Sequence, residues 1–372
     1  MKQREPRLPV NLAEFEALAR AVLPTDAFDH IAGGADDELT LKDNVAAFCR
    51  IKLVPRVLRD VTRRNLSTTL LGEPIEFPVI LAPVACLRRF HPEGELAAAR
   101  GAGQAGTIFT LSTGACHSLE EVAQAACGPL WFQLYAYQDR GITQGLVERA
   151  EVAGYKAICL TVDVPIGTRR ERDLRNGYIY PAELLRQSLL STGFTPQDLE
   201  LDEEQLSAFA GRALQVALTW DYLHWLKSLT SLPILLKGIL SEEDASRAVS
   251  SGVQAIVVSN HGGRQLDGSP AAIDVLSRIV EAVDGRAEIL LDSGVRRGTD
   301  VLKAIALGAK AVLIGRPFVW ALAVGGQSGV ESALQMLRNE LDIAMALTGC
   351  ACISDIERKL IWRNQEAGPP QQ

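Results

Sequence analysis

From about residue 78 onward, short runs rich in Val, Ile and Leu alternate with stretches whose apolar residues recur at helical spacing. The runs are Val79–Pro83, Thr107–Ser112, Leu130–Tyr135, Ala157–Asp163, Pro233–Gly238, Ala255–Asn260, Glu288–Asp292 and Ala311–Arg316. Each reads as a strand covered on both faces. Between them lie helix signals. Ser118 with Glu121, and Ser241 with Asp244, have the spacing of capping boxes, and Thr299 is expected to cap a helix through Leu307. Gly128, Gly252 and Gly308 fall where helices should stop. Eight β-then-α units predict an α/β fold, a closed parallel TIM (β/α)8 barrel over about residues 78–345. A doubly wound sheet also fits the alternation alone. No close repeat that would make a solenoid is visible.

Two segments break the alternation. Residues 11–55 read as short helices ahead of the barrel, with Pro24 ending the first. Residues 175–220, between the fourth and fifth strands, form a long insertion with an acidic stretch at Asp198–Glu204. Its place predicts a cover over the active site, and its acidity argues against docking on a membrane. The whole chain, 1–372, reads as one domain with a frayed tail at 366–372.

Composition narrows the partners. A hydrophobic content of 47% supports a large core, and a formal charge of -7 argues against nucleic acid. Met1–Val10 has no apolar signal core, and no run is long enough to span a bilayer. The seven cysteines show neither a metal nor a disulfide pattern. Cys49, Cys86, Cys116, Cys127 and Cys159 read as small core residues in a reduced, cytoplasmic protein.

In a barrel of this kind chemistry sits where the strands end, and the unusual polar residues are there. Gln133 and Tyr135 close the third strand, Thr161 and Asp163 the fourth, and Lys237 the fifth. Asp292-Ser293-Gly294-Val295-Arg296 follows the seventh strand and Gly315-Arg316 the eighth. Glycines at helix starts with an arginine on each of two adjacent strands suggest a phosphate site, although ordinary turns carrying surface arginines would look the same. Lys237 ends an apolar run, so it needs either a charged reduced cofactor or a carboxylate, unless its ammonium reaches solvent. His261, between an apolar strand and Gly262-Gly263, is the candidate base. Arg264 is placed to hold a carboxylate, and Asp163 to orient the imidazole.

The stretch Ser259–Asp267, SNHGGRQLD, resembles the signature of the FMN-dependent 2-hydroxy acid oxidases and dehydrogenases. The likeness extends in order through Phe28–Asp43, Ala82–Glu95, Phe132–Tyr135, Leu160–Pro165, Arg169–Asn176, Leu236–Gly238, Leu291–Asp300 and Ile314–Pro317. The resemblance implies a TIM barrel, FMN as cofactor, and a small 2-hydroxy acid and O2 as reactants. It implies His261 as base, Asp163 as its partner, Arg264 and Arg170 as carboxylate binders, and Tyr135 bonded near the substrate's reacting end. Ala82, Pro83, Val84, Ser112, Gln133, Thr161 and Ser259 would contact the flavin, and Lys237 would favour its anionic reduced form. Asp292, Ser293, Gly294, Arg296, Gly315 and Arg316 would hold the ribityl phosphate. A homotetramer is the assembly the resemblance implies.

Three positions depart from the family pattern. His30 stands where a carboxylate-binding tyrosine is usual. It either donates a hydrogen bond that depends on pH or is a loop histidine. Gly114 replaces a bulky tryptophan, which implies a roomier pocket for aryl or longer substrates unless Leu87 or the insertion fills the space. Ser293 replaces a glycine, and its hydroxyl is expected to add a phosphate contact. The resemblance favours an oxidase of an (S)-2-hydroxy acid. The alternatives are a dehydrogenase with another acceptor, or an FMN enzyme acting on a biosynthetic intermediate without a free carboxylate.

Overall fold

The computed structural model describes residues 9–214 and 217–362. Eight parallel strands close into a barrel: β1 (Val79–Leu81), β2 (Phe109–Ser112), β3 (Leu130–Leu134), β4 (Ile158–Thr161), β5 (Ile234–Ile239), β6 (Ala255–Val258), β7 (Glu288–Leu291) and β8 (Ala311–Ile314). All eight expected strands are present, each ending between two residues before and one residue after the end of its apolar run. Side chains alternate between the two faces of each strand. Ile80, Trp131, Cys159, Leu235, Val257, Leu290 and Leu313 fill the interior, while their neighbours pack outward on the helices. That double cover is why the strands carry no polar face. A short hairpin, Thr68–Leu70 with Glu73–Ile75, brings Leu70 and Ile75 into the interior cluster.

Three helices precede the barrel: α1 (Leu12–Val22), α2 (Thr25–Ala32) and α3 (Leu39–Arg50). Pro24 is the N-cap of α2, so the expected break falls where proline cannot continue a helix. The helices between strands are α4 (Gly94–Gln104), α5 (Leu119–Ala125) and α6 (Arg140–Val152), followed beyond β4 by α7 (Glu171–Arg175), α8 (Ala182–Thr192), α9 (Glu203–Ala213) and α10 (Trp220–Lys227). After β5 come α11 (Glu242–Ser250), α12 (Ala272–Val283), α13 (Gly298–Ala306) and the long α14 (Arg316–Leu347).

The Ser118–Glu121 capping box forms as expected. Ser241 accepts from the Asp244 N–H and donates to the Asp244 carboxylate, which makes a cap but not a reciprocal box. Thr299 is not a cap. Helix α13 starts one residue earlier, and Asp300 takes the free amides of Arg296 and Arg297 at 3.0 and 2.9 Å. A carboxylate near the positive end of a helix outcompetes a hydroxyl for those donors.

The insertion packs largely on itself, with Leu189, Leu199 and Leu206 as a separate small core. The expectation about the cysteines is corrected at one pair. Cys86 and Cys116 form a disulfide, with Cα atoms 5.1 Å apart. Thirty residues separate them in the chain; they meet because β1 and β2 are neighbours and the two following loops run side by side. Cys159 is buried as expected, whereas Cys49 and Cys127 are exposed. The expected tail at 366–372 lies outside the described residues. No helix among the described residues is long and apolar enough to cross a membrane.

Candidate active site

A cavity of about 350 Å³ opens at the C-terminal ends of the strands. Its floor is set by the register of the barrel, which pairs Ser112 with Gln133 and Thr161 with Lys237. The Gln133 amide oxygen accepts from the Ser112 hydroxyl at 3.1 Å and the Thr113 N–H at 3.2 Å, and its nitrogen donates to Thr161 at 3.0 Å. The Thr113 N–H can only donate, so it fixes which end of this buried amide is the oxygen.

Lys237 is buried, and its ammonium meets Asp292 at 3.0 Å and the Ser259 hydroxyl at 3.1 Å. Of the readings open for Lys237, a carboxylate partner is the one present. Burial alone would lower its pKa, but Asp292 and then Asp163 outweigh that and hold the ammonium charged, above its ordinary value.

The loop after β6 carries the candidate base. His261, Gly262 and Gly263 take φ values of 58°, 68° and 71°, three consecutive left-handed residues that a glycine pair makes affordable. The loop is pinned by reciprocal amide bonds between Asn260 and Asn44 of α3, at 2.7 and 2.9 Å. The His261 Nδ1 lies 3.0 Å from Asp163 Oδ1, which leaves Nε2 as the free ring nitrogen. Burial lowers the imidazole pKa below its ordinary value despite the Asp163 carboxylate. Burial pushes Asp163 upward, and His261 more than reverses it, so the carboxyl stays ionised below its ordinary range. Gly238, at φ 113°, makes room for this pair: a Cβ there would fall 2.5 Å from the Asp163 side chain.

The cationic wall depends on α2. Its last carbonyls have no helical partners and point to the barrel mouth. Arg264 donates to the carbonyls of His30 at 2.7 Å and Gly33 at 3.0 Å. Arg316 donates to Ile31, Gly33 and Gly262 at 2.8–2.9 Å. These carbonyls orient both guanidinium groups without neutralising them. Burial, then the neighbouring Arg170 and Arg316, pull the Arg264 pKa well below its ordinary value. Burial and then Arg296 bring Arg316 down to about 9. Arg296 stacks over Trp320 with its guanidinium 5.2 Å from the ring centre. Three buried cations without a carboxylate partner among the described residues constitute an anion site.

Most of the expected residues meet here. Ala82, Pro83 and Val84 line the cavity with Ser112, Gln133, Tyr135, Thr161 and Lys237 on one side. Asp292, Ser293, Gly294, Arg296, Gly315 and Arg316 line the other, and His30, Arg170, His261 and Arg264 complete the mouth. Asp163 and Ser259 stand behind His261 and Lys237 rather than on the surface of the cavity.

Two expectations fail on geometry. Gly114 does not line the cavity; a Cβ there would meet the Ala85 Cβ at 2.9 Å, and its carbonyl accepts from the Cys86 N–H. Ala85 and Cys86 hold that part of the wall, so the missing tryptophan leaves no simple hole. The Ser293 hydroxyl donates to Asp292 at 2.8 Å and accepts from Gly262 at 3.0 Å. Its one proton is committed to a carboxylate, so it has none to offer a phosphate.

His30 lines the cavity with its Nδ1 3.0 Å from Asp173, and its ring stacks on Tyr178 at 4.2 Å between centres. Burial lowers its pKa in spite of Asp173. Sequence reasoning missed Arg89, Phe90, Tyr178 and Tyr180, which also line the cavity. Two of these come from the insertion, whose first residues cover the mouth while its helices do not. The only sequence signal for Arg89 was its place just beyond β1.

Comparison with known proteins fits this geometry. The family model for FMN-dependent dehydrogenase matches residues 19–363. The chain belongs to the FMN-dependent dehydrogenase family. It is 52% identical over 357 residues to the L-lactate oxidase of a Nostoc species, covering 95% of this chain and 98% of the relative. It is 47% identical over 362 residues to 2-hydroxyacid oxidase 1 of Homo sapiens, covering 96% and 98%. A crystal structure of mandelate oxidase superposes with a TM-score of 0.86 at 45% identity, over 94% of this chain and 98% of the other.

As a member of this family the chain is an FMN-dependent oxidoreductase, and the cavity fits the cofactor. Arg296 and Arg316 are buried cations beside the strand ends where a phosphate is expected, and no carboxylate pairs with either among the described residues. Gly294, at φ 93°, presses so closely on the Asn44 carbonyl that a Cβ would lie 2.0 Å from it, so the loop after β7 can take this path only with glycine.

Proposed function

We propose that this chain oxidises an (S)-2-hydroxy acid to the 2-oxo acid, with O2 reduced to hydrogen peroxide. The observation that carries this reading is the pairing, in one cavity, of a neutral His261 backed by the ionised Asp163 with the buried Arg264 guanidinium. FMN, when bound, supplies the two-electron acceptor that O2 reoxidises. Arg296, Arg316 and the backbone of 292–294 would hold its phosphate, while Ala82–Val84, Ser112, Gln133, Thr161 and Lys237 would face its ring.

The chain's own residues account for the rest. Arg264 and Arg170 bind the substrate carboxylate; the Arg170 Nε is buried without a hydrogen-bond partner and is left to donate. Tyr135 stays protonated, its pKa pushed up to about 12 by burial and then by Asp163, so it can donate to the reacting oxygen. His261 Nε2 takes the proton released as the hydroxyl-bearing carbon is oxidised. Asp163 keeps the Nδ1 proton in place and stabilises the imidazolium that forms.

Purified protein is expected to be yellow and to bleach anaerobically with lactate, glycolate, 2-hydroxyoctanoate or mandelate. Readmitted air should then yield one peroxide per flavin. Persistent colour with all four would reject the reading, and bleaching without peroxide would point to another acceptor.

We also place the protein as a cytoplasmic homotetramer. Val57, Leu58, Ile343 and Leu347 are exposed, and Arg56 ties the first pair to the end of α14 by donating to the Thr348 carbonyl at 3.2 Å. That clustering supports self-association. The free exposed thiols of Cys49 and Cys127 support a reducing compartment, where the Cys86–Cys116 disulfide would be an exception. Sedimentation should give a four-chain mass, and a single-chain mass would reject the assembly.

A further inference from the structure

The mouth of the cavity holds polar groups that binding of a simple 2-hydroxy acid leaves unused. Leu87–Arg89 forms a single 3-10 turn after β1, held by the left-handed backbone of Cys86 and its disulfide to Cys116. The turn places Arg89 on the cavity wall. One guanidinium nitrogen of Arg89 pairs with Asp26 of α2. Its Nε, next to that nitrogen on the same edge, is buried with no hydrogen-bond partner of its own.

Tyr178 reaches the same wall from the insertion, with the Arg89 guanidinium 6.0 Å from its ring centre. The Tyr178 hydroxyl is likewise buried and without a partner. Its ring is fixed by stacking on His30, which Asp173 holds in turn.

A buried donor left unsatisfied costs about 1–3 kcal/mol, so two on one cavity wall call for a ligand that accepts from them. With Arg264 and Arg170 assigned to the substrate's own carboxylate, the donors that remain are Arg89 Nε–H and Tyr178 O–H. A guanidinium edge beside a phenol matches a carboxylate, which accepts only and carries the opposite charge. Val84 and Phe90 also line the cavity and suit a short methylene spacer.

We propose that Arg89 and Tyr178 form a second anion subsite, and that the preferred substrates are 2-hydroxy dicarboxylic acids whose far carboxylate binds there. This inference rests on the 2-hydroxy acid reading above. Asp26 engages Nη2 and lies partly in solvent, which leaves the Nε–H as the proton offered to the ligand.

The test compares (S)-malate and (S)-2-hydroxyglutarate with neutral partners of the same shape, (S)-2-hydroxy-4-methylpentanoate and (S)-2-hydroxy-5-methylhexanoate, on the FMN-loaded enzyme. The wild type should favour at least one dicarboxylate over its neutral partner by about tenfold or more in kcat/KM. In Arg89→Leu that ratio should fall by about tenfold or more, with Arg89→Lys and Tyr178→Phe intermediate. Titration with the corresponding 2-oxo acids, followed by the flavin spectrum, should show the same loss in Kd without turnover. A misfolded variant would lose both substrates together and leave the ratio as it was. An unchanged ratio in Arg89→Leu with FMN retained, or a wild type that prefers the neutral acids, overturns the subsite. If no 2-hydroxy acid bleaches the flavin, the underlying reading has failed instead, and the 2-oxo acid titrations still decide whether Arg89 binds a second carboxylate.

Discussion

Replacing His261 by Gln is expected to slow single-turnover flavin reduction by about 10²- to 10⁴-fold while the protein stays yellow. The imidazole is neutral near pH 7 and backed by Asp163 at 3.0 Å. His30 has the same kind of pairing with Asp173, but only His261 sits at the strand ends beside Lys237 and Tyr135. Glutamine retains a polar side chain of similar reach but cannot take up a proton. The proposed flavin contacts other than Ser259 lie on other elements, and the substitution leaves the Ser259 hydroxyl and the His261 backbone N–H in place, so cofactor content should hold. A reduction rate within about threefold of wild type would remove His261 from the chemistry.

The same residue sets a pH signature. Protonated His261 cannot act as a base, so activity falls as pH drops through its pKa. Burial shifts that pKa below 6.5, which moves the acid limb of kcat/KM to lower pH. A limb at or above pH 6.5 that vanishes in the glutamine variant would contradict the burial argument while keeping the role.

Arg264→Lys carries the second large effect, a loss of about 10²-fold or more in kcat/KM seen chiefly in KM. Lysine keeps the charge but offers a point donor in place of a fork. It cannot bond the His30 and Gly33 carbonyls and still present two donors to a carboxylate. Flavin content measured beside the kinetics separates this from collapse of the α2 contact. An unchanged KM would show that the carboxylate is held elsewhere, Arg170 being the remaining candidate.

The barrel was legible in the chain because burial on both faces leaves a direct mark, a run of consecutive apolar residues, wherever a strand occurs. The proposed base, its carboxylate and the arginines were legible for a related reason. Polar residues at the ends of such runs have little packing role, so Asp163, His261, Arg264 and Arg316 stood out as residues kept for chemistry.

What failed depended on contacts between distant segments. Gly114 read as an opening because a missing side chain implies space, yet the chain just after β1 supplies Ala85 and Cys86 to that wall. Ser293 read as a phosphate donor until the carboxylate next to it claimed the proton. Cys86 and Cys116 carried no pairing signal, since only the adjacency of β1 and β2 joins their loops. The orientation of Arg264 and Arg316 rests on carbonyls of α2, more than 200 residues away in sequence.

By itself, then, the sequence determined the eight strands and the polar residues at their ends, among them the proposed dyad and cations, because those follow from local periodicity. Closure into a barrel came from the count of units and the family resemblance. Tertiary structure alone decided which cations stay unpaired, which hydroxyls keep a free proton, and which wall the substrate meets. Those properties depend on partners contributed by separate elements, and no local pattern records which partner will arrive.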